Sequence, residues 1–312
     1  MDSKKKNILV INLTSGLCNQ LNSIAKAIIL ASIDNRDLYF QSFQIHYDIN
    51  NNKLNTNEII NIDKLQEIIN YLELDVKIYK NIDIKEDKII DLNVNNQDYS
   101  YLEDFTSYLK KQKEDSFLNI GSPICAKIPE KYKDSLDKII LNIQFTEKFI
   151  TYSSRIKETF HLQNYICVHL RMEDDCLEYM VKLLKNKSYK IVEDIYKEKY
   201  TSLFEELSKY KVKIYICTSL GIYENKNNIF YQKLKKKYNL IDKNDLLLSM
   251  NLGNNESKCR ELYGIIDYLI AKDSTYFVGC DWSSFSILLY NNHKFYKKNT
   301  KLIDLWKSCL ES

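Results

Sequence analysis

The stretch NILVINLTSGLCNQLNSIAKA, residues 7–27, joins an apolar run to an amphipathic pattern through a short polar turn. The run is typical of a buried strand, and the apolar side chains between residues 21 and 28 have the spacing of one helix face. A Gly-containing turn between a strand and a helix leaves backbone N–H groups from which an anion or a sugar hydroxyl can accept. The stretch therefore predicts a strand, a turn and a helix, with the turn as a candidate binding edge. The alternative is that Gly16 serves backbone geometry alone.

The same alternation of strand and helix patterns returns in the C-terminal half. The apolar runs NYICVHL (164–170), KVKIYICTS (211–219) and TYFVGC (275–280) are separated by helical patterns. This order favours an α/β fold with parallel sheets and helices on both faces. A break near residue 162 predicts two domains, 1–162 and 163–312. Ligands of such sheets bind outside the carboxyl ends of the strands.

Composition narrows the functional classes. Hydrophobic residues make up 45% of the 312 residues and charged residues 28%, which is typical of a globular protein. The net charge of +3 comes from 45 basic and 42 acidic residues and gives no reason to expect nucleic acid as a partner. No apolar run reaches the ~20 residues that a membrane span requires. The basic start precedes an apolar segment that is too short for a signal peptide, so we expect a cytoplasmic protein.

Cysteine and histidine patterns argue against a metal cofactor. The eight cysteines form no CxxC pair, and Cys167 and Cys217 lie in apolar strand patterns, which predicts buried free thiols. The four histidines form no HExxH motif and no cluster with cysteine. The adjacent acids Asp174 and Asp175 follow Arg171, whose charge disfavours a cation there. We therefore expect neither a metal nor another cofactor.

The first polar cluster is HLRMEDD, residues 169–175, at the end of a predicted strand. Alternate side chains of a strand share a face, so His169 and Arg171 should project the same way. The planar guanidinium of Arg171 suits a phosphate or a carboxylate. The acids at 173–175 could neutralise Arg171, cap the next helix or supply a base. A salt-bridged strand end without further function is the open alternative.

The second cluster is DYLIAKDSTYFVGCDWSSFS, residues 267–286. It predicts a helix, a buried strand and a short polar loop, followed by another helix whose N-terminus can receive an anion. Ser283 and Ser284 lie at that N-terminus, where a serine is also an ordinary helix cap. Asp267 lies on the preceding helix, where the alternative interpretation is a plain surface carboxylate.

These three elements, in this order, resemble the GDP-fucose O-fucosyltransferase family. SGLCNQLNSI is similar to its N-terminal G-x-G-N-Q element, and HLRMEDDCL to its plant-type H-L-R-x-E-x-D-x-L strand end. The segment 267–286 resembles its third element, an Asp on a helix followed by Ser-Ser-Phe. The chain departs from the pattern at Ser15 and Cys18, where the family often has Gly.

The resemblance implies a GT-B architecture, in which two Rossmann-like domains face each other across a cleft. Residues 1–162 would form the acceptor-side domain and 163–312 the nucleotide-sugar-binding domain, and the last helix could pack back on the N-terminal domain. The implied activity is transfer of fucose from GDP-fucose to a hydroxyl of a protein or oligosaccharide, with inversion and without a metal. The open alternatives are another nucleotide sugar, or an inactive protein that binds a glycan or a nucleotide sugar.

The resemblance also implies roles for individual residues. Arg171 would bind the β-phosphate and stabilise the departing GDP, with Glu173 as the first candidate base and Asp175 as the second, although both could only orient Arg171. The other donor-binding residues would be His169 and Asp267 at the guanine, Ser283, Ser284 and Phe285 at the phosphates, and Gly16 and Asn19 at the pyrophosphate and fucose.

Overall fold

The computed structural model describes residues 7–44, 54–82, 89–91, 117–124, 126–185, 187–220, 227–247 and 260–311. The chain divides into two compact units, Met1–Glu147 and Lys148–Ser312. The helix Glu147–Thr159 therefore belongs almost entirely to the second unit. The observed division lies at the start of this helix, whereas the sequence predicts it after the helix, near residue 162.

The first unit contains a parallel sheet. Its described strands are Ile8–Leu13 (β1), Asp37–Phe43 (β2), Ile78–Tyr79 (β3), Ile89–Asp91 (β4) and Phe117–Asn119 (β5). They pair in the order β3-β2-β1-β5-β4, and every pair is parallel. The central strand β1 is buried along almost its whole length, as expected of a strand covered on both faces.

Helices cover this sheet, and the first of them follows the turn that the sequence singled out. The described α-helices of the first unit are Leu17–Ile33 (α1), Thr56–Ile59 (α2), Ile62–Tyr71 (α3) and Lys133–Asn142 (α4). Glu147–Thr159 (α5) begins at the division and lies almost entirely in the second unit. In α1, Leu21, Ile24 and Ile28 are at most 1% exposed. The predicted strand, turn and helix are therefore confirmed, and the apolar face of α1 is the face that packs.

The second unit has a parallel sheet of its own. Its described strands are Tyr165–His169 (β6), Lys213–Cys217 (β7), Tyr276–Cys280 (β8) and Asn299–Ile303 (β9), in the order β7-β6-β8-β9. All pairs are parallel, and Ile241 adds a parallel bridge to Tyr215 on the outer side of β7. Since β6 lies between two neighbours, its carboxyl end is at the middle of this edge of the sheet.

Besides α5, the second unit contains seven described α-helices. They are Asp174–Leu184 (α6), Tyr189–Leu207 (α7), Asn228–Tyr238 (α8), Asn244–Leu247 (α9), Arg260–Asp273 (α10), Ser284–Phe295 (α11) and Leu305–Glu311 (α12). The last helix, α12, buries Leu305 and Cys309 in the core of the second unit. It thus packs within its own unit, unlike the expectation that it returns to the N-terminal domain.

The α/β class with parallel sheets is confirmed. Cys167 and Cys217 are buried and free, also as predicted, and their sulfur atoms are 3.3 Å apart on neighbouring strands. Among the residues that the structure describes, no helix combines the length and apolarity needed to cross a membrane.

Candidate functional site

The site of the second unit is built at the carboxyl ends of its parallel strands. Strand β6 ends at His169, strand β7 at Cys217 and strand β8 at Cys280. Adjacent parallel strands end at the same edge, so the polar residues that follow them are brought together. Tyr200 of α7 joins this edge, since its hydroxyl donates to the carbonyl of His169 and accepts from the N–H of Arg171, both at 3.0 Å.

Arg171 lies two residues beyond the end of β6 and is held by two carboxylates. Its Nη1 donates to Glu173 Oε2 at 2.7 Å. Its Nη1 and Nη2 donate to the two oxygens of Asp175 at 3.2 and 3.0 Å. The side chain of Arg171 is only 15% exposed. The guanidinium is therefore fixed in one orientation, as an anion-binding group at a site must be.

Glu173 is the more deeply buried of the two carboxylates. Its Oε1 accepts from both the N–H and the hydroxyl of Ser219, at 2.9 and 2.6 Å. Burial by itself would raise the pKa of Glu173, but the guanidinium groups of Arg171 and Arg260 and the Ser219 hydroxyl hold it well below its usual range. A carboxylate with a lowered pKa is a weak base. Because Ser219 fixes Glu173, Glu173 can in turn hold Arg171 in its orientation.

Arg260 was not identified from the sequence. It is the first residue of α10, and its Nη1 donates to Asp175 Oδ2 at 3.0 Å. The side chains of Arg260 and Asp175 are 24% and 35% exposed. Burial would raise the pKa of Asp175, yet the charges of Arg171 and Arg260 lower it. The cluster thus holds two guanidinium groups around one carboxylate.

His169 is buried at the end of β6. Its Nδ1 lies 2.7 Å from the Ser286 hydroxyl, and its ring centroid lies 4.7 Å from that of Phe285. Burial is the main reason that the pKa of His169 falls to about 3, with smaller contributions from Arg171 and Arg260. The imidazole is therefore neutral near pH 7 and can act only as a hydrogen-bonding and stacking group.

The loop after β8 presents the N-terminus of α11. Ser283 is the cap residue, but its side chain makes no capping hydrogen bond. Gly279 explains how closely this helix approaches the strand, because a Cβ there would lie 2.6 Å from the Cβ of Ser286. The structure thus places Phe285 and Ser286 against His169, with Ser283 and Ser284 just before them in the chain. Sequence patterns single out neither Gly279 nor Ser286, although both lie within the second cluster, residues 267–286.

Asp267 is not a surface carboxylate. It is 4% exposed, and its Oδ2 accepts from Lys243 Nζ at 2.5 Å. Its Oδ1 accepts from the Tyr215 hydroxyl at 2.8 Å. Lys243 is buried as well and also donates to the carbonyl of Thr218 at the end of β7. The plain-surface interpretation of Asp267 is therefore wrong, and the pair fixes α10 to this edge of the sheet.

Gly16 and Asn19 lie in the first unit, at the turn after β1. Ser15 has a φ of 78°, a left-handed conformation that favours Gly. Asn19 Nδ2 donates to the Ser15 hydroxyl at 2.9 Å, and Gln20 Nε2 donates to the carbonyl of Ser15 at 2.7 Å. A Cβ at Gly16 would meet nothing within 4 Å, so the backbone here is open to a neighbouring group.

Within the described part of the chain, no group of three or more His, Cys, Asp or Glu side chains is arranged to hold a metal ion. The cations near Glu173 and Asp175 are instead Arg171 and Arg260. The two guanidinium groups at the carboxyl edge of the second sheet are chemically suited to an anionic ligand, and the neutral imidazole of His169 packs against Phe285 beside them.

Comparison with known proteins identifies related folds and a family. The family model of GDP-fucose protein O-fucosyltransferase matches residues 8–296. The chain is similar to POFUT1 in its apo form, with a TM-score of 0.63 and 10% identity over 97% of this chain and 99% of that one. For POFUT1 in complex with GDP-fucose the TM-score is 0.61, with 9% identity over 97% and 99%. Curated protein sequences give no significant match.

A second solved fucosyltransferase shares the fold. The chain resembles NodZ alpha-1,6-fucosyltransferase soaked with GDP-fucose, with a TM-score of 0.53 and 13% identity over 92% of both chains. For NodZ from Bradyrhizobium the TM-score is 0.51, with 13% identity over 92% of this chain and 93% of that one. At these identities the structural similarity establishes the fold.

Proposed function

The chain belongs to the GDP-fucose protein O-fucosyltransferase family, and from this premise we propose that it transfers fucose from GDP-fucose to an acceptor hydroxyl with inversion and without a metal. Membership identifies the protein as a GDP-fucose-dependent fucosyltransferase. The single observation that best supports the proposed mechanism is the fixed guanidinium of Arg171 at the carboxyl end of β6.

In the proposed reaction a base takes the proton of the acceptor hydroxyl, and the oxygen of that hydroxyl bonds to the anomeric carbon of fucose. The bond from that carbon to the β-phosphate oxygen breaks, and GDP leaves with the electron pair. Negative charge develops on the departing GDP, so donors that are already oriented toward it stabilise the transition state. We assign this role to Arg171 and to the N-terminus of α11 at Ser283 and Ser284.

The remaining donor contacts are assigned residue by residue from the resemblance. His169 and Asp267 would contact the guanine, and Phe285, whose ring packs against the neutral imidazole of His169, would lie at the phosphates with Ser283 and Ser284. A contact of Gly16 and Asn19 with the pyrophosphate and fucose stays a prediction of the resemblance. The contacts of Glu173 favour a positioning role on Arg171 over a role as the base.

A nucleotide-sugar panel tests the donor. We expect GDP-fucose and GDP to raise the melting temperature of the purified protein, because a ligand at 100 times its Kd adds about 2.7 kcal/mol to the stability of the folded state. UDP-sugars should cause no comparable shift. Release of GDP from GDP-fucose, with water as the acceptor, would distinguish an enzyme from a protein that only binds the donor. A shift with UDP-sugars instead would contradict the proposal.

We expect turnover to continue in the presence of a chelator. The phosphates would be met by Arg171 and by helix N–H groups, which need no metal to act as donors. The measurement is GDP release from GDP-fucose in EDTA, compared with the same preparation after addition of Mn²⁺ or Mg²⁺. Activity that is lost in EDTA and restored by either ion would show that the metal-independent mechanism is wrong.

A further inference from the structure

The carboxylate of Asp175 occupies a ready-made anion site. Its Oδ1 accepts from Arg171 Nη1 at 3.2 Å and from the backbone N–H of Cys176 at 2.8 Å. Its Oδ2 accepts from Arg171 Nη2 and from Arg260 Nη1, both at 3.0 Å. Three of these donors are guanidinium N–H groups and the fourth is an N–H in the first turn of α6. These are the types of donor that bind phosphate in proteins.

The two carboxylates around Arg171 differ in how firmly they are held. Glu173 is 9% exposed at its side chain and is fixed by Ser219 from the neighbouring strand end. Asp175 is 35% exposed, on the first turn of α6. Glu173 is therefore the permanent counter-ion of Arg171. Rotation of the Asp175 side chain toward water would uncover donors from both guanidinium groups.

Charge favours this exchange. Arg171 and Arg260 carry two positive charges, and Glu173 and Asp175 carry two negative charges, so the charges of these four side chains sum to zero. A diphosphate that approaches this cluster would find carboxylate oxygens at the positions that its own oxygens would otherwise occupy. Like charges at such short range are repelled strongly in a partly buried site. Departure of one carboxylate makes that sum positive and exposes to the ligand the guanidinium N–H groups that the carboxylate had bound.

We propose that Asp175 holds the place of a donor phosphate, and that Arg260 is a second guanidinium that contacts the diphosphate when Asp175 turns away. This inference rests on the proposed function, since it takes GDP-fucose as the ligand of the site. Arg171, at the end of β6, and Arg260, at the start of α10, then donate to the same diphosphate. Arg260 is 85 residues from Asp175 in the chain, so the contact between them is a property of the fold.

The first test replaces Arg260 by Gln and measures affinity by calorimetry with GDP and with guanosine. Loss of a charged hydrogen-bond donor should weaken GDP binding about tenfold or more. Guanosine has no phosphate, so its affinity should stay the same. Unchanged GDP affinity in a variant that melts like the wild type would overturn the role of Arg260. Failure of the wild type itself to bind GDP would instead contradict the proposed function.

The second test replaces Asp175 by Asn, with Asp174→Asn as the matched control. Both changes remove one negative charge from the first turn of α6, but the Asp174 carboxylate accepts from the Tyr189 hydroxyl. We expect Asp175→Asn to tighten GDP binding by about threefold or more, and Asp174→Asn to change it by less than about twofold. Weaker GDP binding in Asp175→Asn would show that Asp175 is a fixed support of Arg171 and would overturn the exchange.

Discussion

Replacement of Arg171 by Lys should lower the turnover of GDP-fucose by about 100-fold or more, the scale of effect seen when one oriented donor to a transition state is removed. Lysine keeps the positive charge but loses the planar pair of N–H groups. Affinity for GDP should fall much less than turnover. The measurements are GDP release at saturating GDP-fucose, GDP affinity by calorimetry, and the melting temperature of the same preparation.

Arg155→Lys is the control for this experiment, because Arg155 is exposed on α5 and the same substitution there should leave turnover unchanged. A purely structural Arg171 gives a different pattern. The variant would melt several degrees lower and would still release GDP at nearly the wild-type rate per folded molecule. That pattern would show that the ion pairs with Glu173 and Asp175 serve the fold and not the reaction.

The second large effect concerns stability. Asp267→Ala should lower the free energy of unfolding by about 3–5 kcal/mol, because it leaves the ammonium of Lys243 buried without its counter-ion. Lys243 is 1% exposed, so water cannot replace the lost partner without rearrangement. Urea denaturation followed by circular dichroism measures the change. The control is Asp273→Ala, on the same helix as Asp267. It removes the partly exposed partner of Lys157 and should lower the free energy of unfolding by less than about 1 kcal/mol.

The double variant Asp267→Ala, Lys243→Met separates the two explanations of such a loss. If the stranded charge causes the instability, then removal of that charge should restore much of the lost stability. If the double variant is as unstable as Asp267→Ala, the cause lies elsewhere, for example in the hydroxyl of Tyr215, which would also lose its acceptor. The guanine contact of Asp267 stays a prediction of the resemblance.

The sequence predicts the framework of the fold well, because strands buried on both faces are continuous apolar runs. Strands β6, β7 and β8 and the helices after them lie where the runs indicate. The carboxyl ends of β6 and β8 were correctly identified as the places where polar residues gather. The two strand ends lie close together because β6 and β8 pair in parallel, and this needs no knowledge of side-chain contacts.

The partners of these residues were beyond the reach of sequence patterns. Lys243, in the turn before α9, and Asp267, on α10, are 24 residues apart, and no periodicity connects them. Arg260 opens a helix, where an arginine is usually unremarkable. Gly279 is required by the approach of a helix that comes later in the chain. Each of these depends on distances between elements, which the order of residues does not contain.

The carboxylate of Asp175 also acts as a filter on which anions the site accepts. Because it is tethered to the chain, it competes with free phosphate or chloride at the guanidinium groups as an intramolecular ligand. A simple ion has no other contact with which to compensate for displacing it. A diphosphate joined to a guanosine has such a contact, since its base can bind first and bring the phosphates close. Discrimination against small anions then follows from a competitor that never leaves the protein.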